Sequence, residues 1–110
     1  MIYNVLTIAG SDPSGGAGIQ ADLKVFSAMK VYGMAVITAL TAQNTTGVSK
    51  VKALDGDFVA EQIRMVFTDV DVHAVKIGMI ANADIARSIA DTLLAVCNVI
   101  INAIAIINAI

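Results

Sequence analysis

The sequence is poor in the residues that staple small folds. It has 110 residues, with 1 cysteine (Cys97), 1 histidine (His73), 1 proline (Pro13) and 0 tryptophans. A lone thiol cannot close an internal disulfide, and it excludes thiolate zinc clusters and CxxC redox sites. Such cysteine usage fits a reducing cytosol, so a cytoplasmic location is expected. Charged residues make up 15% and the net charge is -2. That balance excludes a basic surface tracking a nucleic-acid backbone. The opening residues Met1 to Val5 carry no basic segment, and the stretch after them is glycine-rich and acidic, unlike a signal peptide. No glycine follows Gly78.

What is present is apolar. Hydrophobic residues reach 57% and the mean hydropathy is +0.79. Disorder needs the opposite composition, so the chain is globular. Its length supports one small domain that buries roughly two thirds of its unfolded surface. The polar surface is scant for a lone domain, which points to a part of something larger or to an oligomer.

The run Val5-Leu6-Thr7-Ile8-Ala9 reads as a buried strand. Gly10 to Gly18 is a loop by composition. Ile19, Leu23 and Phe26 then follow helix spacing, with Ser14 as a cap, and the helix ends before Gly33. Residues Met34 to Thr46 contain no charge, and Ala35 to Leu40 reads as a second buried strand. Gln43 to Gly47 turns the chain, and Val48 to Leu54 reads as a strand with one wet face. Asp57 is expected to cap a helix carrying Val59, Ile63, Val66 and Phe67. Ala74 to Gly78 is another strand and Ala83 to Val96 a third helix, with Ile85, Ile89, Leu93 and Val96 inward. Val99 to Ile101 is the expected next strand. Alternating strands and helices give an α/β fold with a mostly parallel sheet covered on both faces. Ligands of such sheets bind beyond the carboxyl ends of the strands. The loops there are Gly10 to Gly18, Thr41 to Gly47 and Gly78 to Asn82.

The first of these loops carries the most information. It leaves a strand and opens a helix, a geometry that suits an anion or an electron-rich ligand atom. A phosphate-binding P-loop is excluded, because Gly16 and Ala17 stand where Lys and Ser or Thr are needed. Gly16-Ala17-Gly18-Ile19-Gln20-Ala21 satisfies a dinucleotide pattern, but it starts too late after the strand. The acidic partner is also missing, since Gln43 and Asn44 occupy its place. Asp12 and Asp22 read equally as turn opener and first-turn acid or as ligand contacts. His73 reads as a surface-loop histidine. Residues 92–110 are uncharged, but Asn98, Asn102 and Asn108 argue against a membrane span.

The segment Leu6 to Lys24, with its Ala9-Gly10-Ser11-Asp12-Pro13-Ser14-Gly15-Gly16-Ala17-Gly18 core, closely resembles the start of the hydroxymethylpyrimidine/phosphomethylpyrimidine kinases of thiamine biosynthesis. Tyr32 to Thr45 and Lys76-Ile77-Gly78-Met79 continue the likeness, which runs from about Val5 to about Val99. The resemblance implies a three-layer ribokinase-like sheet flanked by helices, of which residues 1–101 are the N-terminal part. Residues 102–110 form an atypical apolar tail. It implies ATP-dependent phosphorylation, with Mg2+, of 4-amino-5-hydroxymethyl-2-methylpyrimidine and then of its monophosphate. Carried over by motif, the ring-binding residues are Gly10, Asp22, Gln43 and Met79, with Asp12 and Lys76 as further candidates. An amide such as Gln43 both donates and accepts against an aminopyrimidine edge. Met79 offers a soft wall to a flat ring.

In the family, the catalytic base and most of the nucleotide site lie far downstream. The family's Pro-containing continuation is replaced here by Ile101-Asn102-Ala103-Ile104. The chain is therefore expected to be catalytically incomplete, with no catalytic residue and no metal ligand of its own. Two other readings stand beside this one. A pyridoxine- or pyridoxal-type kinase would use the same flat-ring pocket. A non-catalytic pyrimidine-binding module, or a vestigial product, would need no transfer chemistry. The expected partner is a small aminopyrimidine, with no nucleic acid and no membrane. A homodimer agrees with the family and with the apolar content.

Overall fold

The computed structural model describes residues 1–97 and 104–106. The elements run β1 (Asn4–Ala9), α1 (Gly18–Ala28), β2 (Tyr32–Ile37), β3 (Ala39–Asn44), β4 (Gly47–Ala53), α2 (Gly56–Asp69), β5 (Ala74–Ile77), α3 (Ala83–Val96) and β6 (Ile104–Ile106). One sheet has the order β2-β1-β5-β6 with every pairing parallel. β3 and β4 form a separate antiparallel pair. The expected strand at Val99 to Ile101 lies outside the described residues. β6 falls within the stretch read as an apolar tail.

Side-chain alternation along β1 sorts the layers. Leu6 and Ile8 are fully buried in a cluster with Val59 and Ile63 of α2 and Ile85, Ile89 and Leu93 of α3. Thr7 points to the other face, where its hydroxyl donates to Asp22 of α1. Helices thus cover both faces of the sheet, as right-handed crossovers on either side of β1 require. One interlayer space is filled mainly by apolar side chains. The other carries a polar contact at its middle.

Three expectations need correction. Ala35 to Leu40 is not one strand but the end of β2 and the start of β3. It breaks at Thr38, which is fully buried. Thr38 N donates to Ala9 O, its hydroxyl donates to Met79 O, and its carbonyl accepts from Leu54 N. Those bonds pin one residue between both sheets, so the chain turns there without a glycine or proline. Second, β4 has no buried face, and all seven of its residues are exposed. Among the described residues, no helix packs closely on the hairpin. An irregularity opposite Ala42/Gln43 adds one residue to β4, which brings Val48 and Val51 to the same side. Third, the helix caps differ. α1 is capped at Ala17, not Ser14, and α2 at Asp55, not Asp57, each without a side-chain bond. The first amide of α2, Gly56 N, donates to Asp84 of α3 instead. α3 matches its expected bounds, with Asn82 accepting from Ile85 N.

The free edge of the sheet is guarded by a side chain. Gln62 of α2 accepts from Ile37 N and donates to Ile37 O, closing the end of β2 as a neighbouring strand would. Ile63 beside it is completely buried. Ile63→Ala should lower stability by about 2–5 kcal/mol, the range for emptying a tight apolar site. A reduced midpoint at unchanged slope in urea unfolding would record it.

Candidate active site

The loop after β1 is built around a carboxylate. Asp12 is 2% exposed. One of its oxygens accepts from Ser14 N at 2.9 Å and from the Ser14 hydroxyl at 2.6 Å. The other accepts from Gly16 N at 2.9 Å and Ala17 N at 2.8 Å. Its own N–H donates to Gln20 in α1. The loop amides expected to greet a ligand anion are thus already bonded to an internal one. Gly18 completes the closure. It sits at φ +58, where a side chain is strained, and a Cβ there would overlap the Gly10 carbonyl. That carbonyl accepts from Ile19 N.

Beyond the ends of β1 and β5 lies a cavity of about 160 Å³. It is smaller than the roughly 300–1,000 Å³ of drug-sized sites and suits one small ring. Gly10, Ala17 and Gly18 line it from the first loop, and Gly78 and Met79 from the end of β5. Thr41, Gln43, Val48 and Val51 line it from the hairpin, and Lys76 from β5. A Cβ at Gly10 would meet the Met79 methyl and require that flexible side chain to shift.

Of the residues named from sequence, Gly10, Gln43, Met79 and Lys76 are therefore together. Asp22 does not line the cavity. Its carboxylate meets Lys76 Nζ at 2.9 and 3.1 Å and accepts from the Thr7 hydroxyl at 2.6 Å. Both side chains of this ion pair are less than one-fifth exposed. Asp22 reaches the cavity only through the ammonium it holds. Asp12 lies behind the loop, engaged as described. Sequence reasoning did not single out Thr41, Thr7 or the valines. Thr41 and Gln43 do carry a signal, since residues two apart on a strand share a face.

His73 is exposed. Its Nδ1 accepts from Asn4 N, and its ring meets Tyr3 edge-on at 5.4 Å. It fastens the start of β1. Burial pushes the Cys97 thiol up, and the side chain packs against the apolar cluster.

The described residues do not suit a phosphate donor. No three His, Cys, Asp or Glu side chains among them gather to hold a metal ion. The Ser14, Gly16 and Ala17 amides are taken by Asp12. Among the described residues, no helix is long and apolar enough to cross a membrane.

A family model described as phosphomethylpyrimidine kinase matches residues 12–108. This chain belongs to the phosphomethylpyrimidine kinase family. The match runs past Val99, where the sequence likeness was read to end. The hydroxymethylpyrimidine/phosphomethylpyrimidine kinase of Escherichia coli is 60% identical over 90 residues, which are 82% of this chain and 34% of that protein. The chain spans about a third of the length of these curated kinases. A crystal structure of phosphomethylpyrimidine kinase from Clostridium difficile superposes with a TM-score of 0.82 at 55% identity, covering 84% of this chain and 40% of that one. Bacillus subtilis pyridoxal kinase, solved as an ADP complex, gives 0.79 at 39% identity, covering 87% and 38%. The fold is the ribokinase-like one shared by these kinases.

Two measurements probe the loop and the ion pair. The Ser14 hydroxyl, helped by the Ser14, Gly16 and Ala17 amides, holds the Asp12 carboxyl below its ordinary 3.8, although burial opposes it. A carboxyl lowered by folding stabilises fully above its ordinary value, and that contribution is lost as pH falls through the lowered one. Asp12→Asn should therefore be less stable than wild type at neutral pH, and the gap should narrow below pH 3.8. Urea midpoints across that window measure it. Asp22→Asn leaves the Lys76 ammonium without its partner and should cost up to about 3–5 kcal/mol. Replacing both residues by apolar ones should cost much less, which a double-mutant cycle would reveal.

Proposed function

We propose that this chain supplies the ring-binding part of a kinase that phosphorylates 4-amino-5-hydroxymethyl-2-methylpyrimidine and its monophosphate. The observation that carries this reading is the small cavity at the strand ends, where Gly10, Gln43, Met79 and Lys76 converge. Family membership supports this class of chemistry, and in this reading the cavity is its receptor. Met79 is an apolar wall for one face of the ring. Gly10 lets the ring approach the backbone. The Gln43 amide pairs with the ring's amine and neighbouring nitrogen. Lys76 keeps one N–H beyond the two contacts it makes with Asp22, and that donor serves the hydroxymethyl or phosphomethyl oxygen. Asp22, read from sequence as a ring contact, acts through Lys76.

ATP, Mg2+ and the catalytic base belong, in this reading, to parts of the family enzyme outside these residues. The same reading includes a cytoplasmic setting for thiamine biosynthesis and assembly as a homodimer. The likeness to a pyridoxal kinase supports a second reading in which the ring is pyridoxal. The higher identity to the pyrimidine kinases favours the first.

Titration calorimetry of the 110-residue chain with the aminopyrimidine, without ATP, should give saturable 1:1 binding. Gln43→Ala should weaken it by roughly tenfold or more, the cost of losing a paired polar edge. Pyridoxal should compete poorly, and the chain with ATP should release no phosphorylated ring. Absence of heat from a folded chain, or stronger binding of pyridoxal, would overturn the aminopyrimidine reading.

A further inference from the structure

Thr41 and Gln43 sit two residues apart on β3, and both line the cavity. Thr41 Oγ1 stands 2.8 Å from the Ser11 carbonyl oxygen and 3.1 Å from the side-chain oxygen of Gln43. A threonine hydroxyl has one proton, so it cannot donate to both. The Ser11 carbonyl only accepts. If the proton turned away from it, two oxygen lone pairs would face each other across the shorter contact. The Thr41 hydroxyl therefore donates its proton to the Ser11 carbonyl, and a lone pair of Thr41 faces Gln43. That lone pair needs a donor. Gln43 can supply one, because the oxygen and nitrogen of an amide have the same shape and exchange by a half-turn.

We propose that Thr41 is a positioning residue that holds the Gln43 amide with its nitrogen toward Thr41, and so fixes the order of donor and acceptor that the cavity presents to a ring. The amide nitrogen has two protons. One bonds to Thr41 Oγ1. The other lies beside the amide oxygen and forms with it a donor–acceptor edge. Outward from Thr41, that edge reads donor, then acceptor. A ring nitrogen beside an exocyclic amine fits it with the nitrogen on the Thr41 side. A 4-amino-5-hydroxymethylpyrimidine then carries its 5-arm away from Thr41. The 4-oxo analogue has the reverse order and matches only when turned over. Turning it over brings its 5-arm to the Thr41 side, against the loop. Thr41 thus sets the choice between amino and oxo rings through Gln43. Its own backbone is held for the task, since Thr41 N donates to the Ser11 hydroxyl and Ser11 N to Ala39 O.

The ligand half of this inference rests on the ring-binding reading above, whereas the amide half does not. NMR of the 110-residue chain tests the amide alone. One Gln43 side-chain proton should exchange slowly with water and show the stronger cross-peak to Thr41 Hβ, and Thr41→Val should return both protons to ordinary glutamine behaviour. Calorimetry with the 4-amino and 4-oxo rings tests selection. Wild type should prefer the amino ring by roughly tenfold or more, the scale for a mismatched polar edge. In Thr41→Val the preference should shrink to within about threefold, and Thr41→Ser, which keeps the hydroxyl, should restore it. A role confined to folding would weaken both rings equally and leave the ratio unchanged, which would overturn the proposal. So would two equivalent, freely exchanging Gln43 protons in wild type. An ordered amide in a chain that binds neither ring would sink the ring-binding reading and leave Thr41's hold on Gln43 standing.

Discussion

The first loop closes around one buried negative charge, and much else follows from that closure. Asp12 gathers Ser14, Gly16 and Ala17 onto its two oxygens and reaches α1 through Gln20. This sets where α1 begins. The start of α1 sets where Asp22 stands, one turn further in. Asp22 then meets Lys76 and Thr7 across the sheet. A carboxylate at a helix entrance is favoured by the free amides and the helix dipole. Here it fills the role that a bound phosphate has in other glycine loops. The loop is a finished structural part, and the space left for a ligand lies to its side, under the hairpin.

That division explains what could be read in the sequence. Strand and helix periods in β1, β5 and α3 come from which face is buried, and burial dictates residue type directly. Gly10, Asp22, Gln43 and Met79 were named from the family resemblance, and the fold brings Gly10, Gln43 and Met79 to one cavity while Asp22 stands behind Lys76. The break at Thr38 was not legible. It depends on partners at Ala9, Leu54 and Met79, which are remote in sequence, and the run around it has no turn residue. The role of Asp12 was ambiguous for a different reason. The same glycines, amides and helix start suit an internal carboxylate and an external anion alike, and only the bond partners separate them.

The hairpin was misjudged in a revealing way. Its residues alternate loosely between apolar and polar, which suggested a half-buried strand. In the fold, no layer covers β4. Its apolar residues Val48 and Val51 instead form one wall of the cavity, brought to one side by an extra residue that a strict period of two does not anticipate. An apolar side chain on a strand can be kept for a ligand's surface as well as for a core.

The two sides of the sheet are held with unequal strength. Ten residues make one continuous apolar cluster under α2 and α3. α1 buries only Ile19 fully and leans on an ion pair, a hydroxyl and the partly buried Leu23 and Phe26. Segments with few buried apolar contacts open at lower free energy than the whole fold. α1 is therefore the layer that detaches first, and its entrance, Ala17 and Gly18, is also a wall of the cavity. Whatever seats against that wall clamps the looser layer to the firmer one, so occupancy and local opening of α1 draw on the same free energy.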